Sequence, residues 1–301
     1  VTGKITLEYD VDSDTMVYLS QTRGFKPGGS NLTFGRTKAG DAARNLLVPT
    51  FLQADLIDPM VLPTFESEIL DATEIGIKTD FLDGRARANI AIFDYSYDDL
   101  QIQATDPDVY RGGVVNLPES EVQGLEIEFT ASLTDSLILD ANLAFLDTEI
   151  TKSYMYLDNV LAQQYTFGDE TEREAAAQDI IGNELPKSPK FTADVSLIYT
   201  ADLSSGDVFN SAIQFIKRGK FFQRVANNTD YGANDVVDGY DIFNIMAGID
   251  YASGWGFDIM VTNVGDEDGM NSAMTDVFGV GATGIEYIPP RQIMTRFSYD
   301  F

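Results

Sequence analysis

The chain has 301 residues, with 20 lysines and arginines against 48 aspartates and glutamates, a formal net charge of −28, and neither cysteine nor histidine. That charge repels phosphate backbones and argues against nucleic acid as a partner. It favours cations, or divalent ions bridging to an anionic surface. Disulfides and thiolate chemistry are excluded, and so are the commonest metal ligand and general base. Apolar residues make up 44% of the chain, yet no stretch approaches the ~20 apolar residues of a membrane-crossing helix. A mean hydropathy of −0.10 suits a soluble protein, or strands that show lipid only every second side chain.

The sequence begins at Val1-Thr2-Gly3-Lys4, already strand-like, so a removed leader or longer upstream portion is expected. Period-two alternation predicts eleven strands, over residues 3–9, 15–23, 68–81, 85–98, 115–133, 137–150, 190–200, 208–218, 240–251, 255–264 and 290–301. Four are especially clear. Phe191, Ala193, Val195, Leu197 and Tyr199 share one face, as do Phe243, Ile245, Ala247, Ile249 and Tyr251. Trp255, Phe257, Ile259 and Val261 follow, then Ile293, Thr295, Phe297, Tyr299 and Phe301. No charge falls on these faces, whereas acids, amides, hydroxyls and glycines lie between them. A soluble sandwich also alternates, so the connections matter more.

Short turns at Asp12-Ser13-Asp14, Leu82-Asp83-Gly84, Thr134-Asp135, Ser204-Ser205-Gly206 and Ser253-Gly254 alternate with long loops over 24–67, 99–114, 151–189, 219–239 and 265–289. Short turns at one end and long loops at the other is the plan of a membrane barrel. Tyr9, Phe81, Tyr199, Phe209, Tyr251, Trp255 and Phe301 all lie at the short-turn end with apolar-face parity, which predicts an interfacial girdle. In the fourth strand Ala88, Ile90 and Ile92 compete with Phe93, Tyr95 and Tyr97 for the outer face, and a bulge between them is expected. The predicted fold is all-β, a transmembrane antiparallel barrel. Eleven is odd, however, and the first strand runs inward from the long-loop end. Residues 1–301 are therefore expected to be the carboxy-terminal part of a larger barrel, whose missing staves would cover two open edges.

Several segments carry a family likeness. Tyr18-Leu19-Ser20-Gln21-Thr22-Arg23-Gly24-Phe25-Lys26-Pro27-Gly28-Gly29 resembles a strand-to-loop segment of TonB-dependent receptor barrels. Glu74-Ile75-Gly76-Ile77-Lys78, Phe93-Asp94-Tyr95, Val122-Gln123-Gly124-Leu125-Glu126-Ile127-Glu128 and the stretch from Pro289 to Phe301 are similar to later strands. The likeness implies a 22-stranded barrel around an amino-terminal plug, of which the chain supplies half the wall. It implies a receptor, not an enzyme, that imports a scarce solute such as siderophore-bound iron, cobalamin or a glycan, with energy relayed by TonB. Lipid and lipopolysaccharide would surround it, and the barrel-assembly machinery would read a terminal aromatic, here Phe301.

Candidate sites are few. No catalytic residue, cofactor or metal centre is predicted. Asp266-Glu267-Asp268, Asp169-Glu170 with Glu172 and Glu174, and Asp106-Pro107-Asp108 lack the spacing of a calcium loop and read as solvated surface. Arg218 and Arg296 are the lumen-facing candidates for an anionic solute, with pairing to wall carboxylates such as Asp258 or Asp300 as the alternative. Gly24 to Gly29 lacks the Lys-Ser/Thr of a phosphate loop. Thr171 to Ile181, with Ala175-Ala176-Ala177, has the composition of a short loop helix. Two other functions fit parts of the pattern. A passive porin would share the wall but lack a plug. A secreted all-β carbohydrate enzyme would use paired carboxylates and be soluble.

Overall fold

The computed structural model describes residues 2–31, 64–106, 111–162, 177–229, 234–275 and 283–301. Among these, eleven strands form one antiparallel sheet. They are β1 (Gly3–Asp10), β2 (Thr15–Lys26), β3 (Glu68–Phe81), β4 (Ala86–Asp106), β5 (Arg111–Thr134) and β6 (Leu137–Ile150). β7 (Phe191–Asp202), β8 (Val208–Arg218), β9 (Tyr240–Asp250), β10 (Trp255–Thr262) and β11 (Gln292–Tyr299) complete it. Each strand pairs with its neighbours in the chain, so the sheet is an unbroken up-and-down meander.

Directly opposed residues of an antiparallel pair share a face. The register therefore turns the alternation within each strand into rows across the sheet. One row runs Leu19, Ile75, Ile92, Leu125, Phe145, Phe191. A second runs Leu139, Leu197, Ile213, Ile245, Val261, Ile293. These side chains are uncovered: Ile75 is 56% exposed, Ile213 50% and Ile293 67%. Among the described residues no second sheet packs on them, which argues against the sandwich. A charge-free apolar surface of this extent belongs against lipid.

Aromatic rings edge this surface on both sides. At the short-turn end lie Trp255 and Tyr299, with centroids 4.8 Å apart, Tyr199 and Phe209 at 6.3 Å, and Phe81 and Phe129 at 6.2 Å. A second girdle at the long-loop end pairs Phe145 with Phe191 at 4.8 Å and Phe215 with Phe243 at 4.9 Å. From Phe243 to Tyr251 the rise of ~3.3 Å per residue at a tilt of ~40° gives roughly 20 Å, close to the ~25 Å apolar band of outer-membrane barrels. Beyond the upper girdle the same face turns ionic, with Lys217–Asp241 at 2.6 Å and Arg23–Asp71 at 3.2 Å.

The fourth strand departs from expectation. Its pairing with β3 is continuous from Ile69–Asp98 to Phe81–Ala86, with no bulge between Ile92 and Phe93. Ala88, Ile90 and Ile92 face outward within the lipid band. Above that band the outward positions become Asp94, Ser96 and Asp98, and Phe93, Tyr95 and Tyr97 fill the inner face. The change of pattern marks where the strand leaves lipid. The irregularity sits higher, where Asp99 adopts φ 56° opposite Pro118, which has no N–H to donate. Pairing resumes beyond it to Asp106 and Arg111, so most of the predicted loop 99–114 is ladder.

Inside the wall Phe93 lies across Gly124. A Cβ there would meet Phe93 Cζ at 2.3 Å and the Phe145 carbonyl oxygen at 2.8 Å. Gly124→Ala is expected to cost about 1–3 kcal/mol by overpacking, measurable as a lower denaturant midpoint of the folded barrel.

The long loops carry small ladders of their own. Gly29–Ser30 pairs with Thr64–Phe65, Met155–Leu157 with Ala177–Asp179, Phe221–Phe222 with Val236–Val237, and Met270–Thr275 with Thr283–Tyr287. The helix expected over 171–181 is corrected in part. Ala177–Asp179 is strand, held by the Met155–Leu157 ladder, which overrides alanine's helical preference, and residues 171–176 lie outside the described residues. The described residues hold one short helix, α1 (Asn159–Ala162).

Candidate functional site

The inner face is polar and closed on itself. Gln214 donates to both oxygens of Asp194 at 2.9 Å and accepts from Asn244 at 2.9 Å. Asn210 donates to Asp250 at 3.1 Å, and Tyr18 to Glu74 at 2.6 Å. Arg296 pairs with Asp258 at 2.8 Å, the alternative that the sequence offered.

Arg218 finds no carboxylate among the described residues. Its guanidinium lies between the rings of Phe221 and Tyr240, 4.7 and 4.5 Å from their centroids. It donates to the backbone carbonyls of Asn271 at 3.0 Å, Asp238 at 3.3 Å and Met270. It rivets two long loops to the top of β8. Arg218→Lys keeps the charge but loses the fork and the stacked plane. Amide exchange over 270–275 and 283–287 is expected to accelerate by about tenfold, the cost of roughly one lost hydrogen bond.

The acidic runs organise loops. Asp266 accepts from the Arg291 backbone at 2.8 Å, and Asn263 accepts from the Glu267 backbone at 2.8 Å. Among the described residues no three acidic side chains converge as metal ligands. Asp169, Glu170, Glu172, Glu174, Pro107 and Asp108 lie outside the described residues.

The densest construction outside the wall joins the loops 151–189 and 219–239. Val115, Leu117, Ile150, Tyr156, Ile180 and Val225 share one buried apolar cluster, which seats both loops on the extended β4–β5 ribbon. Asn183 Nδ2 donates to the carbonyls of Val225 and Ala226 at 2.9 and 3.0 Å. Asn227, at φ 53°, accepts from the Glu184 backbone at 2.7 Å and donates to its carbonyl at 3.0 Å.

A buried ionic clasp completes the join. Asp158 is 0% exposed and Asp235 2%. Arg224 Nη1 donates to Asp158 Oδ1 at 2.8 Å, and its Nε to Asp235 Oδ1 at 2.5 Å. Asp158 Oδ1 also caps α1, accepting from Val160 N at 2.7 Å. Asn228 bridges the carboxylates, its side chain donating to Asp158 and its backbone to Asp235 at 3.0 Å. Burial outweighs the arginine at Asp235 and pushes its carboxyl up to about 6. Burial likewise raises the Tyr156 hydroxyl, keeping it neutral.

Beside the clasp is a cleft of about 820 Å³ between the β4–β5 ribbon and the two loops. Leu100, Ile102 and Val225 give it apolar walls; Tyr156, Lys187 and Arg224 add polar and cationic groups. Arg224 is neutralised by Asp158 and Asp235, which leaves Lys187 as the cation of the lining. Sequence reasoning pointed to Arg218 and Arg296 and missed this site. The one signal available was Arg224, set close to Phe221, Phe222, Val225 and Ala226 in an otherwise polar loop.

The TonB dependent receptor-like β-barrel family model matches residues 1–264. The probable TonB-dependent siderophore receptor PiuA of Acinetobacter baumannii is 27% identical over 199 residues, covering 66% of this chain and 22% of the relative. The solved ferric yersiniabactin uptake receptor FyuA of Yersinia pestis superposes over all of the chain with a TM-score of 0.68, at 17% identity and over 37% of its own length. The PiuA structure matches with a TM-score of 0.67 at 19% identity, over 99% of the chain and 35% of the receptor. The chain thus spans well under half of the relatives that it resembles. It belongs to the TonB-dependent receptor family, whose β-barrels lie in the bacterial outer membrane.

Proposed function

We propose that the protein of which these strands form part imports a ferric siderophore across the outer membrane, and that the cleft lined by Lys187, Leu100 and Ile102 is an outer contact for that chelate. The observation that carries this reading is the pairing of a lipid-facing wall with loops built around an apolar-walled cleft at its outer end, with Lys187 in the lining. The named relatives are siderophore receptors. On this reading residues 1–301 are the carboxy-terminal half of a 22-stranded wall. Further strands pair with the open edges of β1 and β11, a plug fills the lumen and TonB supplies energy. Lipid and lipopolysaccharide bathe the outer rows. Phe301, whose ring meets Tyr299 edge-on at 5.1 Å, is the residue offered to the assembly machinery.

The test is retention of ferric chelates by the full-length protein in detergent, followed by native mass spectrometry, with growth of a deletion strain on single ferric siderophores. One class of chelate should be retained and should fail to support the deletion strain. A passive porin predicts instead a steady ion conductance in planar bilayers and no retained chelate.

A further inference from the structure

We propose that Asp158, Arg224 and Asp235 form a proton-operated latch that draws the two loops together over the cleft as acidity rises. This rests on the receptor reading only for the importance of the cleft; the latch itself is a property of the loops. One side of it is the described segment 151–162, which brings Asp158 and the neutral Tyr156. The other is the loop 219–239, which brings Arg224, Asn228 and Asp235. Two carboxylates share one guanidinium, and the described residues around them hold no second cation within reach. Among the described residues the closed latch therefore holds one buried carboxylate more than it has cations, and burial keeps water from solvating it. When the loops part, water solvates both carboxylates and the excess costs little.

A proton on Asp235 is the smallest counter-charge for that excess. Asp235 titrates at about 6 in the closed latch against an ordinary 3.8 once exposed, so the closed form holds the proton more tightly. Closure is accordingly favoured as pH falls through about 6 and weakened as pH rises through that value. The usual pattern of acid breaking a carboxylate–arginine pair is inverted here, because the second aspartate over-supplies charge.

The experiment is amide hydrogen exchange of the full-length receptor in detergent, without ligand, corrected for the intrinsic pH dependence of exchange. Protection over 154–161 and 223–228 should rise about tenfold between pH ~7.5 and pH ~5, with the wall strands unchanged. Asp158→Asn keeps the carbonyl oxygen that caps α1 and accepts from Arg224, and its amide can pair with a flipped Asn228. It leaves one carboxylate for one guanidinium, so its profile should flatten to under about twofold over the same range. A flat or falling wild-type profile overturns the latch, and so does an Asp158→Asn profile as steep as wild type. Chelate retention is scored separately, so failure of the import reading leaves the exchange result intact, and the reverse.

Discussion

Ala247→Arg is expected to destabilise the barrel by about 2–4 kcal/mol, whereas Met246→Arg, one residue away, should cost less than about 1 kcal/mol. Ala247 is the middle of the five outward residues from Phe243 to Tyr251, directly opposite Ser211 and Ile259. An arginine there has no partner and must desolvate near the bilayer midplane. Met246 lies opposite Ala212 and Met260 on the inner face, where a long cation reaches water and the carboxylates of the wall. Urea unfolding of the full-length receptor refolded in phosphatidylcholine bilayers reads the difference. Equal costs for the two variants would contradict the assignment of faces.

Arg224→Ala should have the largest effect outside the wall. It removes the shared partner of two fully buried aspartates and leaves them facing each other. Breaking a buried pair from one side typically costs about 3–5 kcal/mol. The loss falls on loop closure, because the wall strands share none of these bonds. The expected result is a barrel that assembles and resists denaturant as before, with amide exchange over 177–185 and 223–228 faster by a hundredfold or more. Retention of a ferric chelate, where it occurs, should weaken in parallel. Unchanged exchange would show that the apolar cluster holds the loops unaided.

Much of the wall was legible in the sequence because lipid imposes a binary rule on every second residue. β7, β9, β10 and β11 show it in full, and each lies within a few residues of its predicted bounds. The rule lapses above the upper girdle. There the inner and outer faces are both wet, so Phe93, Tyr95 and Tyr97 competed for the lipid-facing side, and 99–114 looked like a loop. Both misreadings arise from one physical change, the exit of β4 and β5 from the membrane. The loop site was hidden for a different reason. Asp158, Arg224 and Asp235 are separated by 66 and 11 residues, and only the folding of two loops onto one ribbon brings them together. Arg218 shows the converse. Its inner-face parity was readable, but its partners are backbone carbonyls, which leave no trace in side-chain chemistry.

The orientation of β9 is the most direct test of the account. Residues 1–301 contain no cysteine, so single substitutions from Phe243→Cys through Tyr251→Cys place one label in this part of the wall, with any cysteine elsewhere in the receptor replaced by serine. A fluorophore on each, in vesicles containing a brominated or spin-labelled lipid, reports contact with acyl chains. Strong quenching at 243, 245, 247, 249 and 251 and weak quenching at 244, 246, 248 and 250 is the predicted pattern. Uniform quenching, none at any position, or the opposite parity would contradict it.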